Sequence, residues 1–326
     1  MPTIGLIVNP MAGRDIRRLV AAASLQSAPE KMLVVRRIFA GMAGIPDTEV
    51  LMVDDYEGFG RYAFHELSTV VPVRLIAGEK EPSNGNSTID WALRLQQAGA
   101  HVIMSVGGDG TQRNIAQAHL DIPILPIAGG TNNVACWTGD QTAAGYACAL
   151  YVARGDDPLE VGCQAKLIHV QQESGHEELA LIDVALVRQT YTGALAVWHA
   201  EDVERLLLSV ADPVRPGLSN VGGFLHPIWP ADDIAMEIIL HDGPPGHETL
   251  AVLAPGLMTP FYVKQAEPVS LGQPVVWSRS EGGTLALDGE RSVVLHADET
   301  VMLRVVRDGP FVLDPAKILN NTANRG

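Results

Sequence analysis

Up to about residue 155 the chain alternates short apolar runs with segments of helical pattern. Thr3–Val8 reads as a buried strand, and Asn9-Pro10-Met11-Ala12-Gly13 after it as a turn. Asp15–Ala23 is expected to be helical, with Asp15 in its first turn. Glu49–Val53 and Val71–Ile76 read as strands, with a helix over Gly60–Leu67 between them. Ser87 or Thr88 is expected to cap a helix running to Gln97. His101–Val106 and Ile122–Ile127 follow as strands around a helix at Gln112–Ala118, and Gln141–Ala153 is an alanine-rich helix. Such βαβα alternation predicts a parallel sheet covered on both faces.

After Asp156-Asp157-Pro158 the texture changes. Ala165–Gln172, Leu179–Val187, Ala235–Leu240, Thr249–Ala254, Val275–Ser278, Thr284–Leu287, Ser292–Leu295 and Thr300–Val306 are short strand-like runs separated by Gly, Pro and Asp. They predict an antiparallel sandwich or barrel, with one helix at Glu201–Val210 and a long loop at Asp212–Gly223. The expected organisation is an α/β domain over residues 1–157, a β-rich domain over 158–307 and a terminal segment, 308–326.

Composition narrows the function. Hydrophobic residues make up 47% and charged residues 19%, which excludes a disordered chain. The net charge of −15 argues against a nucleic-acid partner, because binding to a phosphate backbone depends on a basic field. A small phosphorylated ligand remains open, since one local basic cluster can hold it. Cys136, Cys148 and Cys163 form no CxxC pair and supply neither a disulfide framework nor a thiolate metal site. The histidines show no HExxH pattern, and no GxSxG elbow marks a hydrolase. No apolar stretch approaches the roughly 20 residues of a membrane helix, and no signal-peptide pattern precedes the first strand. A cytoplasmic protein is therefore expected.

The apolar run His101–Val106 leads directly into Gly107-Gly108-Asp109-Gly110-Thr111, and a helical segment follows. Strand, glycine turn and helix together make a phosphate site: glycines let the backbone approach the anion, and a helix N-terminus offers free N–H groups. Asp109 suits proton acceptance from a hydroxyl, or a hold on Mg²⁺. Arg113 could counter phosphate charge. A bare Asp-Gly is usually only a turn, but three glycines between an apolar strand and a helix favour the ligand reading. The chain has no GxxxxGK[ST], and no GxGxxG follows its first strand.

Gly107–Thr111 resembles the GGDGT signature of the NAD kinase, diacylglycerol kinase and sphingosine kinase superfamily. Ile7–Gly13 resembles that group's first strand and NPxxG turn. Gly129-Gly130-Thr131-Asn132-Asn133 resembles its second nucleotide-contacting loop, and Asp288-Gly289-Glu290 its DGE turn. The whole is most similar to the ATP-NAD kinase-like branch that includes proteins of acetoin-catabolism clusters, the AcoX type. The resemblance implies a Rossmann-like N-terminal domain, a β-sandwich C-terminal domain, an active site between them, and a last segment, Phe311–Asn321, that returns to the first domain. It also implies ATP with Mg²⁺ or another divalent cation, and a homo-oligomer.

Residue by residue, the resemblance makes Asp109 the catalytic group. Asn9, Gly13, Gly107, Gly108, Gly110, Thr111, Arg113, Gly130, Thr131, Asn132 and Asn133 would contact the nucleotide. Asp183, Asp288 and Glu290 would contact the acceptor. Bland alternatives stand beside these roles: Asn9 and Gly13 as turn formers, Asp288–Glu290 as a hairpin turn, and Asp183 as an ordinary polar strand residue. Tyr191, Trp198 and His199 could line a pocket or simply pack. Ile182-Asp183 stands where NAD kinases carry an Asn-Glu pair, and Asn132-Asn133 is closer to the GTxND pattern of lipid kinases. The expected activity is ATP-dependent phosphorylation of a hydroxyl, with NAD as leading acceptor. A lipid or polyol kinase and a non-catalytic nucleotide-binding regulator are the alternatives.

Overall fold

The computed structural model describes residues 1–13, 27–78, 81–188, 200–244, 246–289 and 291–323. The helix expected at Asp15–Ala23, the pocket candidates Tyr191, Trp198 and His199, and the acceptor candidate Glu290 lie outside the described residues. The chain forms two compact units, one from Met1–Gly13, Gln26–Gln164 and Pro310–Gly326, the other chiefly Ala165–Gly309.

The first unit is built on strands β1 (Thr3–Val8), β2 (Glu49–Val53), β3 (Val73–Ile76), β4 (Val102–Gly107), β5 (Ile124–Ala128), β6 (Gly162–Gln164) and β18 (Phe311–Leu313). They lie in the order β3-β2-β1-β4-β5-β18-β6. All neighbours are parallel except β6, which runs antiparallel to β18. The continuous apolar runs read from the sequence are what a sheet covered on both faces requires. One apolar cluster gathers Ile4, Leu6, Met104 and Ile38, and another gathers Ile7, Ile103, Trp91 and Leu95. Alternate residues of β1 and β4 thus enter different clusters, as the two-residue repeat of a strand dictates.

Helices α1 (Ala28–Met42), α2 (Phe59–Leu67), α3 (Gly85–Gln97), α4 (Asp109–Ala116), α5 (Gln141–Arg154) and α6 (Pro158–Val161) connect these strands, and α8 (Pro315–Ala323) ends the chain. Helix α1 is additional to the helices expected from the sequence, and Ser27 and Glu30 close a capping box at its start. The cap of α3 lies earlier than the expected Ser87 or Thr88. Asn84 is the capping residue, and its side chain accepts from the N–H groups of Asn86 and Ser87.

Helices α1 and α5 meet with almost no side chain between them. A Cβ on Gly41 would stand 2.0 Å from the Thr142 carbonyl oxygen, and one on Gly145 would stand 2.2 Å from that of Ile38. Gly145→Ala must therefore push the helices apart. It is expected to cost about 2–3 kcal/mol despite alanine's better helix propensity, measured by urea unfolding.

The second unit is antiparallel. A seven-stranded sheet has the order β12-β13-β11-β10-β9-β15-β16, and a four-stranded sheet the order β14-β17-β7-β8. The first comprises β9 (Asp183–Val187), β10 (Val203–Leu208), β11 (Ile234–His241), β12 (His247–Ala254), β13 (Leu257–Ser270), β15 (Gly283–Leu287) and β16 (Arg291–Leu295). The second comprises β7 (Leu167–Gln172), β8 (Glu177–Ala180), β14 (Pro274–Ser278) and β17 (Thr300–Val306). Ile168, Val170, Trp277 and Leu303 of the smaller sheet join Val184, Leu186 and Leu285 of the larger in one core, the packing of a sandwich.

Three expectations are corrected in this unit. The helix read at Glu201–Val210 is strand β10, paired with β9 on one side and β11 on the other. Leu206, Leu207 and Leu208 are all buried, so the run faces cores on both sides and tertiary pairing overrides the helix propensity of Glu, Arg and Leu. The long loop at Asp212–Gly223 contains the start of helix α7 (Ser219–Leu225). The run Leu179–Val187 breaks into β8 and β9 at Leu181-Ile182. Among the described residues no helix is long and apolar enough to cross a membrane.

Candidate functional site

In the first unit β1 leads to β2 on one side while β4 lies on the other, so the sheet order reverses between β1 and β4. Open α/β sheets bind ligands at the carboxyl end of such a switch point. Three of the sequence motifs sit there: Asn9–Gly13 follows β1, Gly107–Thr111 closes β4, and Gly129–Asn133 follows β5.

Hydrogen bonds knit the three turns together. The Asn9 N–H donates to the Val106 carbonyl at 3.0 Å, and its side-chain amide donates to Thr111 Oγ1 at 2.7 Å. Gly13 takes φ +76°, a left-handed value that favours glycine. Gly108 and Gly130 touch directly: a Cβ on Gly130 would lie 2.6 Å from Gly108 Cα, and one on Gly108 would lie 2.7 Å from the Asn132 carbonyl oxygen. These glycines are required for one loop to lie on the other.

Asp109 ties the same two loops. It is buried, and its Oδ2 and Oδ1 accept from the N–H groups of Val134 and Ala135 at 3.0 and 2.9 Å. Its own N–H donates to the Asn132 carbonyl at 3.0 Å. Asn133 turns its side chain onto its own loop. Its Oδ1 accepts from Gly129 and Gly130 at 3.2 and 3.0 Å, and its Nδ2 donates to the Gly130 carbonyl at 2.8 Å. The amide of Gly130 is thus engaged in shaping the turn.

The helix after the glycines begins earlier than the sequence suggested. Asp109, Gly110 and Thr111 form the first turn of α4, and the N–H groups of Thr111 and Gln112 fold back onto the Gly108 carbonyl at 3.0 and 3.2 Å. No side chain caps this N-terminus. Among the described residues, the backbone N–H groups of Gly108, Gly110, Thr131 and Asn132 have no acceptor. Asn132 Oδ1 is likewise buried without a partner. Unpaired amides at a helix N-terminus carry partial positive charge and attract an anion. Arg113 lies buried in the last turn of α4.

The acceptor candidates Asp183 and Asp288 belong to the second unit and meet each other there. Asp288, at φ +51° and 1% exposed, makes the left-handed turn between β15 and β16. Its carboxylate accepts from the N–H groups of Leu181, Ile182 and Asp183 at 3.0, 2.8 and 3.4 Å, and its N–H donates to the Asp183 carbonyl at 3.0 Å. Asp183 and Ile182 are themselves buried.

Sequence reasoning missed two charged groups of the first unit. Lys31 of α1 is 1% exposed and donates to the carbonyls of Asn9, Pro10 and Ala12. Its signal was its place on the apolar stripe of α1 with Val34, Val35, Ile38 and Met42. Asp55, just past β2, accepts from the N–H groups of Phe59 and Gly60. Burial pushes its carboxyl above the usual range, against the pull of those amides. Among the described residues no group of three or more His, Cys, Asp or Glu is placed to hold a metal ion.

Comparison with known proteins defines the class. Residues 4–138 match the family of the ATP-NAD kinase N-terminal domain, and residues 166–308 match that of the acetoin catabolism protein X C-terminal domain. The chain thus pairs a match to an ATP-NAD kinase N-terminal domain with a match to an acetoin catabolism protein X C-terminal domain. Acetoin catabolism protein X of Cupriavidus necator strain H16 is 29% identical over 320 residues, covering 92% of this chain and 86% of that protein. A solved structure of a protein assigned as a diacylglycerol kinase, from Bacillus anthracis str. Sterne, matches with TM-score 0.50 and 11% identity over 96% of this chain and 98% of the other. That likeness concerns the fold alone. A further diacylglycerol kinase structure from the same organism gives TM-score 0.45 at 10% identity, over 96% and 97% of the two chains.

Proposed function

We propose that the protein is an ATP-dependent phosphotransferase acting on a hydroxyl group, with NAD as the leading acceptor. The observation that carries this reading is the set of N–H groups without an acceptor among the described residues, those of Gly108 and Gly110 at the start of α4 and those of Thr131 and Asn132 in the loop after β5. Phosphoryl transfer asks mainly for positioning and for neutralisation of charge on the phosphate oxygens. Backbone amides fixed at the switch point of a rigid sheet supply both.

In this reading the amides of Gly108, Gly110, Thr131 and Asn132 receive the phosphate oxygens of ATP. Asn9 and Thr111, bonded to each other, keep the turn after β1 in register with α4. Asp109 takes the proton of the acceptor hydroxyl as its oxygen attacks the γ-phosphorus and ADP leaves. A carboxylate can accept about four hydrogen bonds, so the two amides it holds do not exhaust it. A divalent cation bound with ATP neutralises phosphate charge. Such an ion would commonly rest on the phosphates and one or two carboxylates.

A second reading keeps the transfer and changes the acceptor to a polyol or lipid alcohol. It is favoured by the identity of Ile182-Asp183, which stand, both buried, where the resemblance places the Asn-Glu pair of NAD kinases. Purified protein incubated with Mg-ATP and NAD is expected to form NADP. Phosphorylation of a polyol or diacylglycerol with no NADP would establish the second reading instead. ATP binding with no turnover on any of these acceptors would sink both and leave a nucleotide-binding regulator.

A further inference from the structure

We propose that Lys31 is the positioning residue that aims the turn Asn9–Gly13 at the nucleotide; the inference rests on the phosphotransfer reading above. A buried ammonium is costly unless its three donors are satisfied. Lys31 Nζ meets that need with the carbonyl oxygens of Asn9, Pro10 and Ala12 at 2.8, 2.9 and 2.8 Å. All three acceptors belong to one short turn, so the side chain fixes the turn's peptide planes as a set.

The consequence follows from peptide geometry. In a planar trans peptide the carbonyl and the next residue's N–H point in opposite directions. Drawing the Pro10 and Ala12 carbonyls towards Lys31 therefore turns the N–H groups of Met11 and Gly13 away from it. The Met11 N–H is taken by Asn9 Oδ1 at 2.9 Å. The Gly13 N–H has no acceptor among the described residues. It adds a fifth donor to those of Gly108, Gly110, Thr131 and Asn132. The same network reaches α4, because Asn9, held by Lys31 through its carbonyl, donates to Thr111. Lys31 acts on the ligand through the turn, by deciding which side carries carbonyl oxygens and which carries N–H groups.

The test is Lys31→Met in the full-length protein, with Lys31→Gln as the milder variant should the first fail to fold. Two readouts apply. Amide hydrogen exchange needs no ligand: the N–H groups of Asn9 and Met11 are expected to exchange about tenfold faster or more, while Ile4 and Leu6 of β1 stay as protected as in the wild type. Titration with Mg-ATP is expected to show a Kd about tenfold higher, with the loss in kcat/KM carried by KM rather than kcat. A merely structural lysine would lower Tm and leave both readouts of the folded variant unchanged. Unchanged exchange at Asn9 and Met11 overturns the proposal, whether or not the protein binds ATP. Faster exchange with an unaltered Kd also overturns it, by showing that the turn does not serve the nucleotide. Should the wild-type protein bind no ATP at all, the phosphotransfer reading fails, and the exchange data alone decide whether Lys31 sets the turn.

Discussion

Asp109→Asn is expected to lower turnover about 10³-fold, within the range for loss of a general base, and to weaken nucleotide binding as well. The first effect follows from removing the proton acceptor. The second follows from the structure: both carboxylate oxygens hold amides of the neighbouring loop, Val134 through Oδ2 and Ala135 through Oδ1. Asparagine offers one carbonyl oxygen and sets an NH₂ against the other N–H. One buried donor then loses its acceptor, which typically costs about 1–3 kcal/mol. The loop that carries the free amides of Thr131 and Asn132 should loosen from Gly108 accordingly. Initial rates across a range of Mg-ATP concentrations separate the two effects, with kcat falling and KM rising together. A variant that keeps its KM would mean that the amide clamp does not set the nucleotide loop. One that keeps kcat within tenfold of the wild type would remove Asp109 as the proton acceptor.

Asp288→Ala is expected to destabilise the second unit by about 3–5 kcal/mol, a large part of the stability of an ordinary domain. Three buried N–H groups converge on its carboxylate, those of Leu181, Ile182 and Asp183. Alanine leaves all three unsatisfied and must also adopt φ near +51°, which costs a residue with an unassisted Cβ about 1–2 kcal/mol. Asp288→Asn keeps one acceptor oxygen and tolerates the left-handed backbone, so about half the loss is expected. Urea unfolding of both variants, followed by tryptophan fluorescence, measures the difference. Trp277 in the core of the sandwich serves as reporter. A loss below about 1 kcal/mol for the alanine variant would show that the carboxylate does not hold this corner together.

Strands β1 to β5 were legible to within a residue or two, because a sheet covered on both faces writes unbroken apolar runs into the chain, whereas the three-residue strands β6 and β18 were too short to read. Thr3–Val8 and Glu49–Val53 agree at both ends. The run at Val71 begins as a strand only at Val73, after Pro72, which has no N–H to donate. Strand β10 was unreadable for the opposite reason. Val-Glu-Arg-Leu-Leu-Leu satisfies a helix as readily as a strand, and only its pairing with β9 and β11 decides. Lys31 was missed because a lysine is normally read as surface, and its acceptors lie about twenty positions away in the chain.

By itself the sequence marked out the candidate site. Glycines around an aspartate, between an apolar strand and a helix, prescribe a turn whose backbone can face an anion. The order of βαβ units and later short strands likewise prescribed the two layers of fold. Only the tertiary structure decided which polar groups remain for a ligand. Gly129, Gly130 and the carboxylates of Asp109 and Asp288 look alike in sequence as site residues. In the folded chain the two glycine amides are taken up by Asn133, and both carboxylates hold distant amides. Among the described residues of these turns, the N–H groups of Gly13, Gly108, Gly110, Thr131 and Asn132 are what is left over. Every buried N–H seeks an acceptor, and the acceptor that answers can lie anywhere in the chain. The surplus that makes a binding site therefore exists only once the whole domain has paired its own groups.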